Sequence, residues 1–153
     1  MAKKIKWKIG DVFCIKLLNN KNVIGQIIDL QMANVVCCTF YKQIFNPNEL
    51  ENISIEQNQI ISFVACTREQ LDYGVWPILG NKKIFTNKLS LPNEQYRNNS
   101  WIGAITYDAS IIEEFVNAYN GLLPWDDWAN PNFLDELLTD VKLKPNNLVY
   151  KKN

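Results

Sequence analysis

The side chains with the most chemistry to offer gather late in the chain. Between Asp108 and Asp140 stand eight acids, Asp108, Glu113, Glu114, Asp126, Asp127, Asp135, Glu136 and Asp140, with no Lys or Arg among them. The whole chain has 16 basic and 16 acidic residues, so the remainder carries a formal charge of plus eight and the molecule is electrically polar along its length. Such a field steers a cationic partner to the acidic end, raising association rates by about 10- to 1,000-fold at low ionic strength while adding less to equilibrium affinity. The plainer alternative is that these carboxylates solvate exposed helix faces and favour helix N-termini.

Inside that stretch, Trp125-Asp126-Asp127-Trp128 alternates rings and acids between Pro124 and Asn130-Pro131, which stiffen the backbone on either side. An exposed indole desolvates a large area at little conformational cost, and a carboxylate beside it pairs with Arg or Lys, so the four residues read as a contact site for a protein partner. Glu113, Glu114, Asp135 and Glu136 extend the same acidic surface. A second aromatic loop, Leu71-Asp72-Tyr73-Gly74-Val75-Trp76-Pro77, offers Tyr73 and Trp76. Against both loops stands the reading that large aromatics belong to the core. Asp126 and Asp127 also form a carboxylate pair of the kind that binds a divalent ion or works as acid and base, but no His and no third carboxylate at motif spacing supports them.

Catalysis has little to work with. The chain contains no histidine, the side chain that most often serves as general base or metal ligand near neutral pH. The sequence reads as a binding protein, not an enzyme, with no cofactor. Cys14, Cys37, Cys38 and Cys66 lie within apolar runs and form no Cys-x-x-Cys pair, so they read as buried free thiols in a reducing, cytoplasmic setting. No run approaches the ~18 to 20 apolar residues that span a bilayer, which argues against membrane association. The balanced total charge argues against nucleic acid as the partner, and Lys3, Lys4, Lys6 and Lys8 around Trp7 read as a solvated leading strand.

The elements that must hold these loops follow from hydrophobic period. Val12 to Leu17 alternates as a half-buried strand, and Asn19 to Asn22 supplies a turn into a second strand over Val23 to Leu30, where Gly25 suggests a bulge or a sharp coil. Val35 to Tyr41 is β-branched, aromatic and thiol-rich throughout, as a strand covered on both faces requires. A polar loop over Asn46 to Asn58 leads to a strand over Ile60 to Cys66. Val75 to Leu79 pairs with Lys82 to Phe85 across Gly80-Asn81, and after the polar stretch Asn87 to Ser100 a last strand covers Trp101 to Thr106. Ser110 and Glu113 form a capping box for a helix that Asn120-Gly121 closes, and Asn130-Pro131 starts a second over Phe133 to Thr139. The fold class is therefore α+β and mostly β. A strongly bent antiparallel sheet or small barrel-like body over residues 9–106 precedes a helical end over 108–140, and the tail over 141–153 is expected to fray. All of it, 1–153, reads as one domain.

The run Trp7-Lys8-Ile9-Gly10-Asp11-Val12-Phe13-Cys14-Ile15, followed by Val23-Ile24-Gly25-Gln26-Ile27, resembles the opening of the Immunity protein 26 family of bacterial polymorphic toxin systems. The resemblance covers the first third to half of the chain. It implies a mostly β, cytoplasmic protein that neutralises a cognate protein toxin, with Gly10 and Asp11 as structural positions and not contacts. Joined to the charge pattern, it gives a non-covalent, stoichiometric inhibitor whose acidic end covers a basic cleft such as that of a nuclease domain. The rival from another class is a small barrel-like module that binds nucleic acid or peptide.

Overall fold

A computed structural model describes residues 3–86 and 91–151. Five strands form one open antiparallel sheet: β1 (Asp11–Lys16), β2 (Asn22–Met32), β3 (Val35–Tyr41), β4 (Ile60–Thr67) and β5 (Ile78–Asn81), in the spatial order β4-β3-β2-β1-β5. A single helical turn, α1 (Glu69–Asp72), follows β4, and the longest helix among the described residues is α2 (Ala109–Tyr119). Short 3-10 helices occupy Pro47–Asn52 and Gln57–Gln59 within the expected polar loop. The architecture is the bent-sheet form of the α+β expectation, and the sheet does not close into a barrel.

Alternation sends each strand's side chains to two cores. On one face Phe13, Ile27, Val36, Phe40, Ile61 and Cys66 pack beneath Ile112, Phe115 and Val116 of α2. The other face carries Val12, Cys14, Ile24 and Tyr41 against Phe45 and Ile53, with Ile28, Val35, Cys37 and Ala65 against Leu91. All seven residues of β3 are buried, as a strand covered on both sides must be. Adjacent Cys37 and Cys38 fall on opposite faces, and all four cysteines are free and buried. Removal from water pushes the Cys37 thiol up to about 12, helped by the negative charge of Asp29.

Gly25 does not mark a bulge. It sits in regular register opposite Phe13 and Phe40, and the irregularities of β2 fall later, between Ile27 and Asp29 and between Leu30 and Met32. What requires glycine is close approach: a Cβ there would lie 2.5 Å from Phe13 Cζ. The ring of Phe13 uses that space to stack on Trp76 at 5.3 Å, with Phe40 edge-on at 6.0 Å.

Several expected elements take other forms. Gly80-Asn81 is no hairpin turn, and Lys82 to Phe85 is no strand. Residues Ile78 to Asn81 instead pair with β1, where Asn81 donates to Asp11 and to the Ile9 carbonyl and the Lys82 amide donates to Gly10. Trp101 to Thr106 is not a strand, because Ser100 and Trp101 both adopt positive φ and turn the chain; only Tyr107 reaches β4, bridging Cys66. Of the polar stretch before it, residues 87–90 lie outside the described residues.

The capping box of Ser110 and Glu113 does not form. Asp108 is the N-cap, and the first free amide, that of Ala109, donates to Thr67 Oγ1 of β4 at 2.9 Å. The second C-terminal element is a 3-10 helix over Phe133–Leu137, since Leu138 and Thr139 leave it to bond the outer edge of β4: the Thr139 amide donates to Ile61 O at 2.9 Å. The lysine-rich start forms no strand; its Ile5 amide and Trp7 indole both bond Asp72, by the backbone carbonyl and the carboxylate respectively.

Candidate functional site

The acidic segment is built on α2 and the loop that leaves it. Ile112, Phe115 and Val116 turn inward, which places Glu113 and Glu114 on the flanks of the helix. Gly121, at φ 74°, ends α2 and releases the chain toward Pro124. From there the loop passes Trp125 into the core and returns through Asp127 to the surface.

Trp125 is fully buried, its ring 5.7 Å from Phe115 and its indole N–H donating to Asp135 Oδ1 at 2.6 Å. Asp135 is in turn held by Lys144 Nζ at 3.1 Å. Trp76, in the other aromatic loop, is also buried, and its indole N–H donates to Glu113 Oε2 at 3.2 Å, where Gln70 adds a second donor at 3.1 Å. A buried indole must place its N–H on an acceptor, so two of the eight acids serve as internal partners for two tryptophans. Neither Trp76 nor Trp125 is available as a contact anchor.

Asp126 is buried as well and accepts the Lys151 backbone N–H at 2.6 Å, whereas Asp127 is exposed and paired with Lys151 Nζ at 3.0 Å. Trp128 is half-buried, 4.6 Å from Phe133. Its Nε1 and Glu114 Oε2 are sealed from water without a hydrogen bond of normal geometry. Burial pushes the Glu114 carboxyl above the usual carboxylate range and favours its neutral form, the facing Trp128 indole opposes that, and the charge of Asp127 reinforces it. Glu136 is exposed beside Tyr107, on the rim of a cleft of about 200 Å³ walled by Phe63, Ala65, Asn93 and Ile105. Tyr73 is exposed at the end of α1, beside the N-terminal segment.

Of the ten residues expected to meet a partner, the structure leaves Asp127, Glu136 and Tyr73 at the surface and Trp128, Glu114, Glu113 and Asp135 partly so; Trp76, Trp125 and Asp126 are interior. Sequence reasoning missed the tail. Its described residues are tied to the rest of the chain: Tyr119 donates its hydroxyl proton to Leu143 O, the Trp125 amide donates to Val149 O at 2.8 Å, and Val149 bridges Pro124. The available signal was charge, since the tail supplies the lysines that the acidic segment lacks.

Among the described residues no three His, Cys, Asp or Glu side chains converge to hold a metal, and no helix is long and apolar enough to cross a membrane. Asp126 and Asp127 do not form an open carboxylate pair, because each is engaged by Lys151.

The profile of the family described as Immunity protein 26 matches residues 8–101, more than half the chain. The chain belongs to the Immunity protein 26 family. The match runs from the residues leading into β1 through β5 to the 3-10 helix at Glu94–Asn99, and so covers the sheet. Within the family segment, Gly10 adopts φ 92° against the Asn81 amide, and Asp11 accepts the Lys8 amide at 2.9 Å and the Asn81 side chain at 3.1 Å. Both therefore have structural work to do at the entrance to β1. Helix α2 and the acidic loop lie beyond the Immunity protein 26 match. Comparison with curated proteins and with solved structures gave no match to the chain.

Proposed function

We propose that this immunity-family protein acts in the cytoplasm by binding a cognate protein toxin and occluding it, one to one and without covalent chemistry, through the exposed part of its acidic segment between Asp108 and Asp140. The observation that carries the reading is the charge segregation: eight acids and no base between Asp108 and Asp140, attached to a sheet that carries the family match. Asp127 and Glu136 present their carboxylates to solvent there, with the half-buried ring of Trp128 next to Asp127. A partner with a cationic face, such as the phosphate-handling cleft of a nuclease domain, is the complementary surface.

The test is co-purification of the chain with the C-terminal domain of a toxin encoded next to it. A stable one-to-one complex that abolishes the toxin's activity is the expected result. Failure to form a complex at low salt would reject this reading, and saturable binding to mixed-sequence RNA under the same conditions would replace it with the nucleic-acid-binding one.

A further inference from the structure

The acidic loop is already occupied by part of its own chain. Residues 148–151 run alongside Pro124 to Asp127: the Trp125 amide donates to Val149 O, the Lys151 amide donates to Asp126 Oδ1, and the Lys151 ammonium sits 3.0 Å from Asp127 Oδ1. Seven residues earlier, Lys144 places its ammonium 3.1 Å from Asp135 and 5.8 Å from the centre of the Trp125 ring. Three of the eight acids, and one main-chain amide of the loop, are therefore engaged by a lysine-bearing segment of the tail.

Two kinds of contact are mixed here. Leu143 and Leu148 pack against the core and anchor the segment, whereas Val149, Tyr150 and Lys151 are exposed and held by hydrogen bonds and one solvent-screened ion pair. Exposed ion pairs of this sort contribute little and weaken with salt, so the terminal residues are the part that can leave.

We infer that the segment Val149 to Lys151 is a displaceable strap, an intramolecular stand-in for a lysine-bearing stretch of the partner. Its departure breaks the bonds of Lys151 to Asp126 and Asp127 and that of Val149 to the Trp125 amide together, and a cationic stretch of the toxin takes over the same bonds. The inference rests on the proposed function for what replaces the strap; the strap itself is a property of the free protein.

Lys151→Pro removes both bonds that Lys151 makes, the amide and the ammonium, and touches neither the loop nor the core. Lys142→Gln is the charge-matched control, because Lys142 is exposed on the same tail and its ammonium has no ion pair among the described residues. Hydrogen exchange at the Trp125 amide should speed up by about fivefold or more in Lys151→Pro and stay unchanged in Lys142→Gln. Titrated with hexalysine at low salt, Lys151→Pro should bind about threefold tighter than Lys142→Gln, although both variants have lost one positive charge. Equal exchange at Trp125 in both variants, or equal hexalysine affinity, overturns the strap. Neither readout involves a toxin, so a positive outcome here beside a failed co-purification would reject the proposed function and keep the strap.

Discussion

The indole of Trp125 and the carboxylate of Asp135 form a buried-to-surface hydrogen bond 2.6 Å long, across ten residues of loop. The pairing turns what looks in the sequence like a display of rings and charges into a fastening. The ring fills the core beneath α2, the carboxylate leans in from the 3-10 helix over Phe133–Leu137, and Lys144 balances its charge. Trp76 and Glu113 repeat the arrangement on the other flank of α2.

Removing the ring should therefore unfold the protein before it disturbs any surface. Trp125→Ala is expected to cost about 3–5 kcal/mol through cavity formation, and Trp125→Phe about 1–3 kcal/mol because Asp135 loses the indole donor and keeps Lys144. Urea denaturation checks both, and a loss under about 1 kcal/mol for Trp125→Ala would show that the indole is not part of the core.

Gly25→Ala should destabilise by about 1–3 kcal/mol, since the added methyl would lie 2.5 Å from Phe13 Cζ. Shortening that ring with Phe13→Leu should relieve part of the clash, so the two substitutions together should cost less than their sum in a double-mutant cycle. Additive losses would place the strain elsewhere.

Cys37 makes stability fall in alkali. Its thiol is pushed up to about 12 in the folded chain, against a value near 9 when exposed, so between those values the unfolded chain releases a proton that the folded chain keeps. The stabilisation is complete below about pH 9 and is lost as pH rises toward 12. Urea midpoints measured from pH 8 to 11 should decline, and Cys37→Ala should decline less steeply than the parent. Identical slopes would remove Cys37 as a cause. Thiol-directed reagents should correspondingly label the native protein slowly at pH 8 and label all four cysteines once it is unfolded.

How far the fold could be read in advance depends on the range of the interactions involved. β1 to β4 follow from period-two alternation and the apolar run of Val35 to Tyr41, both local patterns. β5 was misplaced because its partner is β1, some 70 residues away, and the bonds of Asn81 to Ile9 and Asp11 have no local trace. Trp101 favours strands by type, yet its positive φ belongs to a turn that only the surrounding structure dictates. The acidic segment was evident as a charge pattern. Which of its carboxylates stay at the surface was not, because Glu113 and Asp135 are claimed by indoles and Asp126 by an amide of the tail.

The most direct measurement is the association rate between this protein and the toxin domain proposed as its partner, followed against ionic strength for the parent chain and for Asp127→Asn combined with Glu136→Gln. If the exposed acids recruit the partner, the parent rate falls steeply with salt, and the double variant associates about three- to tenfold more slowly at low salt with a flatter dependence. Coincident rates at every salt concentration would contradict the acidic surface as the place where the toxin lands.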